Sequence, residues 1–328
     1  MRILLIREDE VRSLLTMREA IDAVEAAYRE KGLGRVQMPP KSYIYFHEAD
    51  GDLRVMPSYI PSLGRAGVKL VNSHPFNPER HGLPTVMAIV VLYEPADGRP
   101  LAVMGGTWLT AMRTGAGSGV ATKYLARRDS RSVGIVGAGT QARTQLMAMV
   151  EVLNGASEVR VYDRRIETAR AFADWASREL GLAPRVCESA ADCVRGVDVL
   201  CTTTPARSPI VMAEWVAPGT HVNAIGADAP GKQELDPRIL KSARVFVDDM
   251  EQAVHSGEVN VPIRQGILKV EEIAGEIGEV VAGRKPGRTS DSDVTVYDST
   301  GLAILDLATG ELVYRKAAKE GVGAWIEV

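Results

Sequence analysis

The segment SVGIVGAGTQA, residues 132–142, joins an apolar strand-like run to a glycine-rich turn at the start of a helical pattern. Gly137, Gly139 and Ala142 follow the spacing GxGxxA. In such a unit the first glycine permits the tight turn, the second lets the backbone approach a pyrophosphate, and the third small residue allows close packing. The helix N-terminus adds positive potential. The segment predicts a dinucleotide site, and the alternative is a glycine-rich turn without a ligand.

An acidic residue stands where such a site needs one. Asp163 ends the next predicted strand, 21 residues after Ala142 (163 − 142), where a carboxylate can bind the adenosine ribose hydroxyls. Arg164 and Arg165 follow directly and could instead meet the 2′-phosphate of NADP. Because the Asp163 carboxylate would repel that phosphate, NAD is the predicted cofactor and NADP the alternative.

Strands and helices alternate from Ser132 onward, which is typical of a doubly wound parallel sheet. Strands are predicted at residues 132–136, 158–162, 185–187, 197–202, 221–225, 243–247 and 294–298, and helices at 140–153 and 166–180. A last helix is predicted to start at Thr300. The fold class is therefore α/β, with a Rossmann dinucleotide-binding domain over residues 119–300.

The chain before this domain has a different texture. Thr16 and Glu19 have the spacing of a capping box that opens a helix. Short β-rich segments between residues 39 and 93 predict a curved antiparallel or mixed sheet without helices, and residues 107–127 return to a helical pattern. We expect the last helix to pack on this part, so that residues 1–118 and 301–328 form one discontinuous α+β domain.

The composition and charge of the chain indicate which kinds of molecule it binds. The 328 residues contain 39 Lys and Arg against 42 Asp and Glu, a net charge of −3, so the chain lacks a basic excess for nucleic acid or an anionic membrane. The longest apolar run, residues 85–93, is about half a membrane span, and the N-terminus does not resemble a signal peptide. A cytoplasmic protein with a small-molecule partner is predicted. Three cysteines without metal-ligand spacing predict neither a metal site nor disulfides.

Cationic residues stand in apolar or glycine-rich segments where a merely solubilising charge is unexpected. They are Arg54 in DLRVMP, Lys69 in AGVKLVN, Arg113 in AMRTGAG and, as a weaker candidate, Lys41 after MPP. A buried cation needs a partner, and a substrate carboxylate is a natural one. Structural salt bridges are the alternative for each.

The loop after the predicted strand 221–225 holds a further candidate. Gly226 ends the strand and Asp228 lies in the loop, at the carboxyl edge of the sheet where ligands bind in open α/β folds. An Asx turn or a helix cap is the structural alternative for Asp228.

These segments, together with LPTVMAIVVLYEPADGRPLAVM, NAIGADAPGKQELD and DSTGLAILD, resemble the ornithine cyclodeaminase/μ-crystallin family over essentially the whole chain. The resemblance implies a dinucleotide-dependent enzyme acting on the Cα–N bond of a small amino acid. It also implies that the discontinuous domain binds substrate and forms a homodimer.

The resemblance further implies roles for individual residues. Lys69 and Asp228 match the family's catalytic lysine and aspartate, and Arg113 its carboxylate-binding arginine, with Lys41 and Arg54 as further substrate-binding candidates. Positions expected near the cofactor are Arg113, Thr114, Gly137, Gly139, Thr140, Gln141, Ala142, Asp163, Arg164, Thr203, Gly226, Lys232 and Ser299.

One departure from the family bears on substrate. Ornithine cyclodeaminases carry a glutamate where this chain has Arg54, which counts against ornithine. The predicted reaction is NAD-dependent, reversible deamination of a small L-amino acid, with L-alanine giving pyruvate and ammonia. The alternatives are an ornithine cyclodeaminase, a cyclic ketimine reductase and a μ-crystallin-like protein that binds NAD(P)H and a ligand.

Overall fold

The computed structural model describes residues 1–153 and 155–328. Its strands are β1 (Arg2–Ile6), β2 (Ser42–Phe46), β3 (Gly51–Ile60), β4 (Arg65–Ser73), β5 (Val86–Tyr93), β6 (Pro100–Gly105), β7 (Ser132–Val136), β8 (Glu158–Tyr162), β9 (Arg185–Val186), β10 (Val199–Thr202), β11 (Arg207–Val211), β12 (His221–Ala224), β13 (Gln233–Leu235), β14 (Arg244–Val247), β15 (Gly275–Glu276), β16 (Thr295–Asp298) and β17 (Ala324–Glu327). Its helices are α1 (Glu8–Leu14), α2 (Met17–Gly32), α3 (Asn77–Arg80), α4 (Thr107–Leu125), α5 (Thr140–Val152), α6 (Ile166–Leu180), α7 (Ala190–Val194), α8 (Pro237–Ser242), α9 (Met250–Ser256), α10 (Asn260–Arg264), α11 (Ile277–Val281) and α12 (Ala303–Glu320).

The chain divides into two compact units. Unit 1 comprises Met1–Arg113 and Leu302–Val328, and unit 2 comprises Thr114–Gly301. The predicted boundaries differ, since the first was placed at residue 118 rather than 113 and the second at 301 rather than 302. The helix α4 runs without a break through the first boundary, so neither a turn nor a change in composition marks it in the sequence.

Unit 1 is built on a seven-stranded sheet in the order β17-β1-β6-β5-β4-β3-β2. Neighbouring strands are antiparallel except β1 and β6, which are parallel. The helix α12 packs against β3, β4 and β5 and against α2. The C-terminal segment therefore completes the core of a unit that begins at the N-terminus.

The strands β3 and β4 set up the face on which α12 packs. Every second residue of β3 from Arg54 to Ile60 is buried, as expected when alternate side chains point to opposite sides of a sheet. Arg54 pairs with Val71 of β4, and Met56 pairs with Lys69. Because residues directly opposite each other share a face, Arg54 and Lys69 lie on the same buried side.

Unit 2 contains an eight-stranded parallel sheet in the order β15-β14-β16-β12-β10-β7-β8-β9. All residues of β10, β12 and β16 are buried, as in sheets covered on both faces by helices. The predicted α/β fold class, with a doubly wound parallel sheet, is confirmed. The strand order reverses between β7 and β10, which makes their carboxyl ends the expected ligand-binding edge.

Several local predictions are also confirmed. The strands β7 and β8 and the helix α6 have the predicted bounds. The capping box of α2 forms, because Thr16 Oγ1 accepts from the amide of Glu19 and the Glu19 carboxylate accepts from the amide of Thr16.

Two local predictions are wrong. The last helix begins at Ala303 rather than Thr300, because the amides of Thr300 and Gly301 donate to buried Asp248 at 2.7 Å and form a turn instead. The short helix α3 interrupts the β-rich region where no helix was predicted. Pro78 stands in its first turn, where a residue without an amide hydrogen is tolerated.

Candidate active site

Lys69 lies in the middle of β4, and only 2% of its surface is exposed. Its cross-strand neighbours are the buried residues Met56 and Val90. A charged ammonium in such surroundings costs free energy unless an anion compensates it. Lys69 is therefore not a solubilising charge.

The compensating anion is Asp306, in the first turn of α12. The Lys69 Nζ lies 2.8 Å from each carboxylate oxygen of Asp306, and Arg113 Nε donates to Oδ1 at 2.9 Å. Asp306 is 1% exposed. One buried carboxylate is thus shared by two buried cations, so the cluster carries one net positive charge while Lys69 is protonated.

Asp306 was not among the predicted site residues. A signal was present, because Asp306 is the acidic residue in the otherwise apolar segment LAILDLA, residues 302–308. Asp306 is a charged residue in an apolar helix, just as Lys69 is a charged residue in an apolar strand. Applying the same argument to anions would have found it.

Lys69 has the acid–base properties of a proton-transfer group. Burial and the Arg113 guanidinium lower the pKa of Lys69 from 10.5 to about 7, with a smaller lowering from Lys41, while Asp306 opposes the shift. Near neutral pH both the amine and the ammonium are populated. A group of this pKa can both take up and release a proton during a reaction.

Arg54 forms a structural salt bridge, the alternative given for it above, with a partner that was not predicted. Its Nε and Nη2 donate to the two carboxylate oxygens of Asp52, each at 3.0 Å, and its guanidinium lies 5.5 Å from the centre of the Tyr43 ring. This bidentate pair fixes the guanidinium in one orientation. Arg54 is a rigid element of the buried face that also carries Lys69.

The glycine-rich turn in unit 2 has the geometry of a dinucleotide site. Gly137 has φ of +92°, and a Cβ there would lie 2.7 Å from Thr204 Cγ2. Gly139 caps the N-terminus of α5, and a Cβ there would meet no atom within 4 Å. The second glycine therefore faces open space directly over a helix N-terminus, where a pyrophosphate fits. The buried Ala142 allows α5 to pack closely.

Asp163 and Thr203 hold this turn in place. Asp163 accepts from the amides of Ala138 and Arg165, each at 2.9 Å. Thr203 Oγ1 donates to the carbonyl of Gly137 at 2.9 Å. The ends of β7, β8 and β10 are thereby joined around the turn, as a site at the switch point requires. Arg164, the residue that would favour NADP, is exposed.

The other predicted cofactor residues lie at several places in unit 2. Thr140 and Gln141 open α5, and Thr114 is buried on α4. The Ser299 hydroxyl lies 3.5 Å from Asp248 Oδ2, in the turn before α12.

Asp228 and Lys232 form an ion pair across one loop of unit 2. The Lys232 ammonium donates to Asp228 Oδ1 at 2.5 Å, and both side chains are partly exposed. The cofactor prediction for Lys232 and the catalytic one for Asp228 are thus made for residues in contact. Lys69 belongs to unit 1 and Asp228 to unit 2.

Over residues 1–153 and 155–328, no group of three or more His, Cys, Asp or Glu side chains is arranged to hold a metal ion. The helices within those same ranges include none that is long and apolar enough to span a membrane. The three cysteines are buried and unbridged.

Unit 2 and unit 1 together define a class. A Rossmann-type unit with a cradle for pyrophosphate is carried in one chain with an α+β unit that buries a lysine of near-neutral pKa. That lysine shares a buried carboxylate with Arg113. This combination of sites is typical of dinucleotide-dependent enzymes that act on small carboxylic acids.

Comparison with known proteins gives the family. The sequence model of the ornithine cyclodeaminase/mu-crystallin family matches residues 2–321. Alanine dehydrogenase of Archaeoglobus fulgidus is 50% identical over 328 residues, covering 100% of this chain and 99% of that protein. The chain belongs to the ornithine cyclodeaminase/mu-crystallin family, as its motifs indicated.

Two solved structures of similar proteins have the same fold as this chain. An archaeal alanine dehydrogenase dimer with bound NAD matches with a TM-score of 0.95 and 50% identity, over 100% of this chain and 99% of that one. The Delta(1)-pyrroline-2-carboxylate reductase of Thermococcus litoralis, in complex with NADH and L-proline, matches with a TM-score of 0.95 and 40% identity, over 98% and 99% of the two chains.

Proposed function

We propose that the chain catalyses NAD-dependent oxidative deamination of a small L-amino acid, with L-alanine, water and NAD⁺ giving pyruvate, ammonium, NADH and a proton. The observation that carries the proposal is the buried cluster of Lys69, Arg113 and Asp306, with Lys41 close enough to influence Lys69. It offers a proton acceptor, the Lys69 amine, close to the two cations Arg113 and Lys41. The identity with an alanine dehydrogenase supports alanine as substrate.

The roles of the residues follow from their chemistry. Arg113 and Lys41 bind the substrate carboxylate in this proposal, since a guanidinium and an ammonium both form charge-assisted hydrogen bonds with a carboxylate. The dinucleotide supplies a hydride acceptor when bound. Lys69, as the free amine, takes a proton while water adds to the resulting imine, and returns it as ammonia leaves. Asp228 is assigned a second proton-transfer role.

The cradle formed by Gly137 and Gly139 fits a dinucleotide, and Asp163 favours NAD over NADP. A carboxylate at the end of β8 accepts hydrogen bonds from ribose hydroxyls and repels a 2′-phosphate. The relatives with bound NAD or NADH support the same choice.

Arg54 selects the side chain in this proposal. Held by both oxygens of Asp52, it cannot swing aside to admit a longer substrate, and it offers no acceptor for a terminal ammonium. A short apolar side chain is therefore accepted and ornithine is rejected.

A cyclic imine reductase is the second candidate. It is favoured by the similarity to the pyrroline-carboxylate reductase bound to NADH and L-proline. Reduction of a cyclic imine needs the same carboxylate-binding cations and the same hydride geometry. The two activities are separated by substrate, because only the dehydrogenase releases ammonia.

The test is a spectrophotometric NADH assay with L-alanine, L-ornithine, L-lysine and L-proline, with ammonia measured in parallel. Alanine should give equal amounts of NADH and ammonia. Conversion of ornithine to proline without net NADH, with alanine inert, would contradict the proposal. Oxidation of proline alone, without ammonia, would instead support the cyclic imine reductase.

The Lys69→Ala variant tests whether the buried cluster of Lys69, Arg113 and Asp306 takes part in the reaction. We expect at least about a 100-fold loss of turnover with NADH binding retained, because general acid–base groups contribute that much. The matched control is Lys316→Ala, which removes a lysine of unit 1 paired with Glu19 at 2.9 Å and should leave turnover within about twofold. Normal turnover by Lys69→Ala would exclude it as the base.

The assembly and location proposed are a homodimer in the cytoplasm, without nucleic-acid or membrane partners. One relative with 50% identity was solved as a dimer. Light scattering coupled to size exclusion should give twice the chain mass of 35.4 kDa.

A further inference from the structure

Glu234, on the short strand β13, is a fully buried carboxylate that the proposed reaction does not use. Its Oε2 accepts from the Thr202 hydroxyl at 2.7 Å and from the Gly226 amide at 2.8 Å. Its Oε1 accepts from the Thr204 amide at 2.6 Å and the Thr204 hydroxyl at 2.7 Å. Four donors therefore converge on one side chain, and an ionised carboxylate can accept from all of them at once.

These donors belong to the carboxyl ends of β10 and β12. Thr202 is the last residue of β10, Thr204 lies two residues beyond, and Gly226 follows the end of β12. The residue between the two threonines is Thr203, whose hydroxyl bonds to the carbonyl of Gly137 in the glycine-rich turn. Glu234 thus fixes both neighbours of the residue that holds the turn.

The space for this carboxylate is made by a glycine. A Cβ at Gly226 would overlap the Thr204 carbonyl oxygen and lie 2.6 Å from the Glu234 carboxyl carbon. Gly226 has no left-handed backbone to explain its identity. The close approach of the Thr204 backbone and of Glu234 explains it, and it gives the sequence-predicted Gly226 a structural role beside the site.

Two further buried carboxylates hold Glu234 itself. Glu258 accepts from the amides of Glu234 and Leu235, at distances of 2.7 to 3.0 Å. Asp298, at the end of β16, accepts from the amides of Glu258 and Val259 at 2.9 and 3.1 Å. Each carboxylate fixes the backbone of the next, and the series runs from β16 to the ligand-binding edge.

We propose that Glu234 is a positioning residue for the dinucleotide, which holds Thr203 and Gly226 in the arrangement that binds it. The proposal rests on the proposed use of NAD. Burying several carboxylates close together is unfavourable in itself, since desolvation and mutual repulsion both oppose it. Apolar residues would stabilise the core more simply, but they could not order two loops through four hydrogen bonds.

The Glu234→Gln variant tests the proposal by direct titration with NADH, followed by intrinsic fluorescence. The glutamine amide places its own donor against two of the four donors, and a backbone amide cannot rotate away as a hydroxyl can. We expect the Kd for NADH to rise at least about tenfold and KM for NAD⁺ to rise with it. KM for the amino acid should stay within about twofold.

A milder variant covers the case in which Glu234→Gln does not fold. Thr204→Val removes one hydroxyl donor and keeps the methyl group beside Gly137, so we expect a rise of roughly two- to fivefold in the Kd for NADH. Glu214→Gln, on the partly exposed segment that pairs with Arg238, is the control for loss of a carboxylate in unit 2. It should leave the Kd unchanged.

The outcomes separate positioning from simple stabilisation. A lower Tm with unchanged NADH affinity, or equal rises in both KM values, would overturn the proposal. Because NADH titration needs no substrate, an inactive wild type that binds NADH would contradict the proposed reaction and leave this test standing. A wild type that does not bind NADH would overturn both.

Discussion

At the scale of single residues, the pKa of Lys69 sets the pH dependence of the proposed reaction. Only the free amine accepts a proton, so kcat/KM for alanine oxidation should rise with pH and level off above a midpoint near 7. The measurement is a pH–rate profile of kcat/KM between pH 5.5 and 9. A profile that is flat through pH 7 would exclude Lys69 as the titrating base.

The Asp306→Asn variant tests the cause of that midpoint. Asp306 raises the pKa of Lys69 against burial and Arg113, so removing its charge should move the midpoint below the wild-type value. Titration of the substrate is common to both enzymes and cancels in the comparison. A midpoint that moves upward would show that Asp306 does not act on Lys69 through its charge.

Residue-level prediction from the sequence succeeded where a charge interrupts an apolar pattern. Lys69 and Arg113 were identified on that basis and prove to be buried. The partner of Arg54 was missed, although Asp52 and Arg54 are two apart on one strand and share a face. Asp306 also interrupts an apolar pattern, but the argument was applied to cations alone. Its pairing with Lys69 spans 237 residues, so no local spacing predicts that contact.

At the scale of elements, variants of the two glycines in the turn between β7 and α5 distinguish loss of cofactor binding from loss of folding stability. Gly139→Val should keep the fold, since its Cβ meets open space and its φ is −78°, but it should weaken NADH binding at least about tenfold by occupying the space for pyrophosphate. Thermal unfolding and NADH titration check the two parts. Unchanged affinity in a folded variant would show that the cofactor does not approach Gly139.

Gly137→Val is the matched comparison. Here φ is +92° and the new side chain would also press on Thr204, so the folded state itself should be destabilised. A Gly137 variant as stable as the wild type would contradict this distinction between the two glycines.

Elements were predictable in proportion to the regularity of their sequence. The strands β7 and β8 are continuous apolar or alternating runs, and α6 has a clear helical period. The small sheet of β11 and β13 was not predicted, because β13 has three residues and pairs with a strand more than 20 positions away. The onset of α12 was misplaced because Asp248 captures the preceding amides.

At the scale of the whole molecule, buried His221 links stability to acid. Burial lowers the pKa of His221 from 6.5 to about 3, and its Nε2 lies 3.2 Å from Asn223 Oδ1. Below pH 6.5 the unfolded chain binds a proton that the folded chain does not. As far as His221 is concerned, the free energy of unfolding is therefore highest above pH 6.5. It falls by on the order of 3 kcal/mol by pH 4.

Glu234 acts in the opposite sense, because burial raises its pKa. As the pH falls, the folded chain protonates Glu234 before the unfolded chain does, and the free energy of unfolding increases. The His221→Gln variant isolates the histidine. It should be less stable than wild type at pH 7.5 and lose that disadvantage by pH 4, as measured by guanidinium unfolding at both values. A difference that stays constant with pH would contradict the assignment.

The division of unit 1 into two pieces bears on how the chain is made. A ribosome delivers Lys69 and Arg113 first, and Asp306 only after the 188 residues of unit 2, from Thr114 to Gly301. At roughly 5–20 residues per second, that interval lasts roughly 10 to 40 s. Throughout it, the face of β3, β4 and β5 that α12 later covers is open to chaperones, and the two cations lack their anion. The base of the proposed reaction thus acquires its setting last.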